Sequence, residues 1–186
     1  MSCLSVVADR FYPGDPSVLR RTLAELVPDV LPQDKQDALA IISPHAGYVY
    51  SGAVAGETVA HVNVPETVLI LGPNHHGRGA ALALGTETWT MPMGDVSIDR
   101  NLAEAILQRS SIITHDETAH AYEHSLEVQV PFLQFFQANL NIVPIVVSHV
   151  SYETCVRAAN NLTAAIKSAD KPVLMVASTD MTHYES

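Results

Sequence analysis

Residues 67–76 of this 186-residue chain read TVLILGPNHH. The apolar part, residues 67–71, ends at a Gly-Pro pair and leads directly into two histidines. Short apolar runs with such boundaries are typical of strands that are buried on both faces of a parallel sheet. Residues 38–43, 142–148 and 173–178 have the same character, and we predict a strand at each of them.

Segments with helical character alternate with these strands. We predict helices at residues 16–26, 52–62, 99–109, 124–137 and 152–168, shorter strands at residues 80–84 and 89–91, and a loop at residues 28–37. Pro131 must bend or split the fourth helix. Alternating strands and helices indicate a largely parallel sheet that is covered on both faces, with right-handed crossovers. We therefore expect residues 1–186 to form a single α/β domain with three layers, α/β/α, around a mostly parallel central sheet.

The composition is that of an acidic protein with enough apolar residues for a core. Hydrophobic residues make up 47% of the chain, and the net charge is −10. Nucleic acid and anionic membranes attract basic surfaces, so neither is expected as a partner. No uninterrupted apolar run exceeds five residues, whereas a membrane span needs about 20. The start of the chain has no signal-peptide pattern and the two cysteines form no disulfide framework, so we expect a cytoplasmic protein.

Nine histidines are the unusual feature of the composition, and several of them follow the predicted strands. The residues just after the four main strands are His45, the pair His75 and His76, His149, and Asp180 with His183. Because the carboxyl ends of parallel strands meet at one edge of a sheet, we expect these loops to converge. Two imidazoles with one carboxylate or thiolate form a typical open metal site. Spacing does not decide between the two neighbouring histidines, since only one of them can face the site from an extended loop.

Other interpretations of the histidines compete with a metal site. A single histidine after a strand is more often a hydrogen-bonded structural residue than a ligand, and His149 is the weakest member of the set. We interpret His61 and His115 as surface or packing residues. Residues 120–124 read HAYEH, which matches the H-x-x-E-H pattern of inverted zinc peptidases. On a helix its two histidines would share a face, but three fixed positions are a weak signal in a chain rich in histidine and glutamate.

Five motifs occur in an order that resembles one known family. They are residues 10–13 (RFYP), 44–52 (PHAGYVYSG), 71–76 (LGPNHH), 123–127 (EHSLE) and 178–183 (STDMTH). This arrangement resembles the Memo family, the B component of the AmmeMemoRadiSam group, and the match spans nearly the whole chain.

The resemblance implies a fold similar to that of class III extradiol dioxygenases, which use non-haem iron. In those relatives two histidines and a carboxylate hold the metal, and a further histidine acts as acid and base. The resemblance assigns His45 and His75 of this chain to the metal, and His183, with Asp180 beside it, to catalysis. Iron or copper is the expected metal, with zinc as a further candidate. The expected ligand of the cleft is a small molecule or a peptide.

Four further residues are expected to touch the substrate or to support the metal ligands. His124 and Glu127 are three positions apart, so they would share one face of a helix. Phe11 stands where some relatives have a tryptophan, and the removal of an indole N–H donor is expected to alter the cleft. His76 is the neighbour of an assigned ligand.

The length of the chain is the main departure from the family. Memo relatives continue for about another third of their length and take the third metal ligand, usually a cysteine, from that part. Neither Cys3 nor Cys155 stands at a matching position. We therefore expect the C-terminal third of the family fold to be absent, which would leave an exposed apolar edge and favour a homo-oligomer or low stability.

Two functions follow from these residues. The first is a metal-dependent oxidoreductase resembling the extradiol dioxygenases, in which a histidine site at the strand ends binds dioxygen or substrate. The second is a non-catalytic module of the same fold, which uses the cleft to bind a peptide or an anion.

Overall fold

The central strand of the sheet is β3 (Thr67–Pro73), which lies where the sequence predicts a buried strand. It pairs in parallel with β8 (Asn141–Val147) on one side and with β9 (Val173–Ser178) on the other. β2 (Ala40–Ser43) pairs in parallel with β9. The computed structural model describes residues 2–182, and in that range these four strands bring their carboxyl ends to the same edge of the sheet.

The remaining strands extend the sheet beyond β8, where the order continues through β6 and β5 to β1. They are β1 (Ser2–Leu4), β4 (Leu82–Leu84), β5 (Thr88–Met91), β6 (Gly94–Ile98) and β7 (Thr114–His115). β6 runs parallel to β8. β5 pairs with β6 in the antiparallel sense and β4 with β8 likewise. The sheet is therefore mixed but mostly parallel, as predicted.

In the described part of the chain, five helices cover the two faces of the sheet. They are α1 (Pro16–Leu26), α2 (Tyr48–Ala60), α3 (Arg100–Arg109), α4 (Val130–Phe136) and α5 (Tyr152–Lys167). α1, α2 and α4 pack against one another, whereas α3 packs against α5. The predicted three-layer α/β/α arrangement is therefore confirmed. Short 3-10 turns lie at Pro32–Asp34, Glu117–Ala119 and Glu127–Gln129.

Two predicted helices differ from the structure in their bounds. α2 begins at Tyr48, four residues before the predicted start, and its exposed residues Val49, Tyr50 and Val54 conceal the amphipathic pattern there. The helix predicted over residues 124–137 is wrong in its first part. Pro131 lies in the first turn of α4, where its missing N–H costs nothing, and turns precede the helix.

The edge strand β2 exposes apolar side chains. Ile42 on this strand is 60% exposed, and Leu39, just before the strand, is 85% exposed. An exposed apolar edge was expected, but self-association through it stays a prediction. Within residues 2–182, none of the helices has both the length and the apolar character that crossing a membrane requires.

Candidate functional site

Three histidines meet at the carboxyl edge of the sheet. His45 follows β2, His75 follows β3, and His124 comes from the turns before α4. One ring nitrogen from each lies within 4.8 Å of those of the other two. The ring centroids of His75 and His124 are 4.5 Å apart, and that of His45 is 5.3 Å from His75. We call these three residues the histidine cluster.

The segment that carries His124 reaches the cluster because Gly72, the next-to-last residue of β3, has no side chain. A Cβ atom at Gly72 would lie 2.7 Å from Oγ of Ser125 and 2.9 Å from a methyl group of Leu126. Only a residue without a side chain allows so close an approach. The Ser125 hydroxyl group then donates a hydrogen bond of 2.8 Å to the carbonyl oxygen of Pro73, which fixes the segment against the strand end.

The carboxylate of Glu123 supports two members of the cluster. One oxygen accepts the backbone N–H of His75 at 2.6 Å, and the other lies 2.8 Å from Nδ1 of the same ring. The second oxygen also accepts the backbone N–H of Ser125 at 2.9 Å and lies 3.5 Å from Nδ1 of His124. Glu123 is buried. Burial raises its pKa, but the hydrogen bonds from His75 and Ser125 outweigh this effect and lower it overall.

His45 is held by a different set of groups. Its Nδ1 lies 3.0 Å from Oγ of Ser178. The Ser178 hydroxyl group donates to the carbonyl oxygen of Ser125 at 2.5 Å, so its oxygen is left to accept from His45. This pairing assigns the ring proton to Nδ1 and leaves a lone pair on Nε2. Gln129 donates to the same Ser178 oxygen and to the carbonyl oxygen of Pro44.

Asp180 closes the other side of His45. One of its oxygens accepts the backbone N–H groups of His45, at 2.5 Å, and Ala46, at 3.2 Å. Its second oxygen lies 3.8 Å from Nε2 of His45. Asp180, which we expected to take part in catalysis beside His183, therefore lies next to the cluster. Its predicted companion His183 lies outside the described residues.

Burial keeps two rings of the cluster neutral. It lowers the pKa of His45, an effect that the nearby Asp180 opposes only in part. Burial also lowers the pKa of His124, to about 4. At neutral pH both rings therefore carry an unprotonated nitrogen, which is the form that binds a metal ion.

The cluster opens into a cleft with a volume of about 740 Å³. Its lining consists of Phe11, His45, Ala46, Gly47, Tyr50, His75, His124 and Asp180. Phe11 stands edge-on to His124 with 4.8 Å between the ring centroids. Phe11 is therefore part of the cleft wall, and its contact with a substrate stays a prediction.

Glu127 fixes the segment before Phe11 and lies outside the cleft lining. Its carboxylate accepts the backbone N–H groups of Val6 and Val7 at 2.8 and 3.1 Å, and the hydroxyl group of Tyr12 at 2.5 Å. Burial raises the pKa of Glu127 above its ordinary value. These contacts support the N-terminal segment, and the expected role of Glu127 as a substrate contact or a support of the metal ligands stays a prediction.

Within residues 2–182, the other histidines lie outside the cluster. His76 is exposed and has its nearest aromatic neighbour in Tyr122, at 6.4 Å between ring centroids. His61, His115 and His149 are also exposed. The geometry thus brings His75 rather than His76 to the cluster, a choice that spacing alone could not make.

The H-x-x-E-H motif does not form a metal-binding helix. Residues 120–126 are in turns and irregular structure, so His120 and His124 do not share a helical face. The buried His120 has its Nε2 3.1 Å from the carbonyl oxygen of Ala83 and packs near Trp89. The motif contains Glu123 and His124, which do lie at the histidine cluster, but it predicted them on a helix with His120 as the second ligand. Nothing in the sequence pattern singled out Ser178 or Gln129.

Comparison with known proteins gives the family. The family model described as Memo-like protein matches residues 4–186. A MEMO1 family protein of Archaeoglobus fulgidus is 43% identical over 179 residues, which are 96% of this chain and 66% of the relative. Similar proteins of Methanothermobacter thermautotrophicus and Sulfurisphaera tokodaii are 41% and 40% identical, and the matches cover 68% and 70% of those relatives. The chain thus spans about two thirds of the length of these relatives, and it belongs to the Memo-like family.

Proposed function

We propose that the protein binds a divalent metal ion through Nε2 of His45, His75 and His124 and presents it to a small organic ligand in the cleft. The observation that carries this proposal is the convergence of three ring nitrogens within 4.8 Å. A set of three imidazoles suits iron, copper or zinc. Such a metal would supply a Lewis acid and, in the case of iron or copper, a redox centre.

The charges around the cluster support a cation. Neutral His45 has its proton on Nδ1, so the lone pair of Nε2 and the carboxylate of Asp180 face each other across 3.8 Å. A cation held by Nε2 of His45 would lie close to this carboxylate and would be attracted by its negative charge. Glu123 and Asp180 together contribute two negative charges, which a divalent ion would balance.

The walls of the cleft support a small organic ligand. Phe11 and Tyr50 offer aromatic surface, and Ala46 and Gly47 leave room beside them. Asp180 has one oxygen near Nε2 of His45, where it could take a proton from a ligand hydroxyl group. The acid–base role of His183 is part of this proposal, and the oxidoreductase activity rests on the family resemblance.

The second function, metal-free binding of an anion or peptide, has less support. The cleft lining contains no lysine or arginine among the described residues. It contains the carboxylate of Asp180, and two of its three imidazoles have a lowered pKa because they are buried. Without a metal ion, an anion would therefore meet the carboxylate of Asp180 and the two neutral rings of His45 and His124 in the lining.

Metal titration of chelator-treated protein tests the proposal. Co²⁺ should bind one ion per chain with a visible spectrum typical of nitrogen ligation, and Zn²⁺ should displace it. Loss of a supporting hydrogen bond typically weakens metal binding roughly 10- to 100-fold, and loss of a ligand in His124→Ala should weaken it by at least that factor. The exposed neighbour provides the control, since His76→Ala should bind Co²⁺ like the unchanged protein. Absence of binding, or equal binding by all variants, would overturn the proposal.

A further inference from the structure

We infer that Glu123 is the positioning residue of the histidine cluster. Its carboxylate orients the rings of His75 and His124 so that Nδ1 of each ring faces the carboxylate and Nε2 faces the cleft. The inference rests on the proposed function only in taking a metal ion as the ligand of the oriented rings. The orientation itself rests on contacts of Glu123 with His75 and His124 at 2.8 and 3.5 Å.

The contacts of Glu123 require a carboxylate. One oxygen faces the backbone N–H of His75, and the other faces the ring of His75 and the backbone N–H of Ser125. The backbone N–H groups are donors to both oxygens, so both oxygens act as acceptors, and an ionised carboxylate offers the His75 ring only an acceptor. An amide in place of the carboxylate would point its NH₂ group at one of these donors. Glutamine, although equal in shape, therefore cannot reproduce the arrangement.

The position of the carboxylate sets which nitrogen each ring presents. A proton on Nδ1 that is directed at Glu123 leaves the lone pair on Nε2, on the opposite side of the ring. His75 and His124 then present the same kind of nitrogen toward the same space. Ser178 orients the ring of His45 independently, so a substitution at Glu123 should leave the tautomer of His45 unchanged.

The ring tautomers of the metal-free protein test this inference directly. Nitrogen-15 NMR at pH 8 should show His45, His75 and His124 with the proton on Nδ1. In Glu123→Gln, His75 and His124 should shift toward the tautomer with the proton on Nε2, whereas His45 should stay unchanged. A wild-type spectrum with the His75 proton on Nε2 would overturn the inference, even if the variant does not fold.

Glu117→Gln provides the matched control. Glu117 lies in the segment just before Glu123, and its carboxylate accepts the backbone N–H groups of Thr86 and Glu87. It makes no hydrogen bond to the histidine cluster. This variant should leave all three tautomers unchanged. If the rings respond equally to both changes, Glu123 acts only through general stability and the inference fails.

Co²⁺ affinity gives the second measurement. Glu123→Gln should weaken binding roughly 10- to 100-fold, whereas Glu117→Gln should change it less than twofold. A protein with the expected tautomers but no Co²⁺ binding would refute the metal site and leave the role of Glu123 intact. Strong Co²⁺ binding with unchanged tautomers in Glu123→Gln would refute the role of Glu123 and leave the metal site intact.

Discussion

Ser43 and Ser178 face each other as paired residues of β2 and β9, and both are buried, but their hydroxyl groups differ in bonding. Ser178 donates to Ser125, and its oxygen contacts both His45 and Gln129. The Ser43 hydroxyl group has no hydrogen-bond partner among the described residues. Substitutions at these two serines can therefore distinguish how much a buried hydroxyl group affects stability by itself and how much its hydrogen bonds do.

We expect Ser178→Ala to lower the free energy of unfolding by about 1–3 kcal/mol, because it leaves buried partners unsatisfied. Freed from Ser178, the ring of His45 should also lose its fixed tautomer, and Co²⁺ affinity should fall. Urea denaturation and Co²⁺ titration measure the two effects.

Ser43→Ala is the matched control for this change. It removes a buried polar group that makes no hydrogen bond, so stability should stay the same or increase. Equal losses of stability for the two serine variants would show that the contacts of Ser178 do not stabilise the fold.

The pH dependence of stability should reflect the buried His120. Burial lowers the pKa of this ring, and the nearby Glu117 opposes the shift only in part. As the pH falls below the ordinary histidine pKa of about 6.5, His120 becomes protonated in the unfolded chain but stays neutral in the folded protein. The free energy of unfolding should therefore decrease with falling pH, by at most about 1.4 kcal/mol per pH unit from this residue.

His120→Gln should reduce this slope, since glutamine can still donate to the carbonyl oxygen of Ala83 but does not titrate. Urea denaturation of both proteins at several pH values between 7.5 and 5 measures the difference. The slope rather than the absolute stability is the quantity of interest, because the substitution itself can change packing. Identical slopes would show that His120 takes up its proton equally in the folded and unfolded states.

Much of the strand-end arrangement could be predicted from the sequence. The apolar runs of β3 and β9 end at glycine, proline or polar residues, and these local signals placed both strands. Since parallel strands share an edge, the meeting of His45 and His75 followed from topology. The choice of His75 over His76 depends on the path of the loop, and only the family resemblance supplied it.

The sequence pattern offered the third member of the cluster as a ligand only together with His120, in the H-x-x-E-H motif, and not as a partner of His45 and His75. His124 lies where the pattern indicated a helix, and its position depends on contacts with β3, about 50 residues earlier in the chain. Glu123 reaches His75 across a similar separation. Such long-range contacts leave no periodic signal, although the absence of a side chain at Gly72 makes them sterically possible.

The same steric argument predicts the effect of a methyl group at Gly72. A Cβ atom there would lie 2.7 Å from Oγ of Ser125, so the segment that carries Glu123 and His124 must move. We expect Gly72→Ala to destabilise the protein by about 1–3 kcal/mol, the usual cost of overpacking, and to weaken Co²⁺ binding. Gly47→Ala is the control, because its nearest neighbours would be 3.7 Å away and its φ of −56° suits any residue. Unchanged Co²⁺ affinity in Gly72→Ala would contradict this prediction and would mean that the position of His124 does not depend on the close approach of its segment to β3.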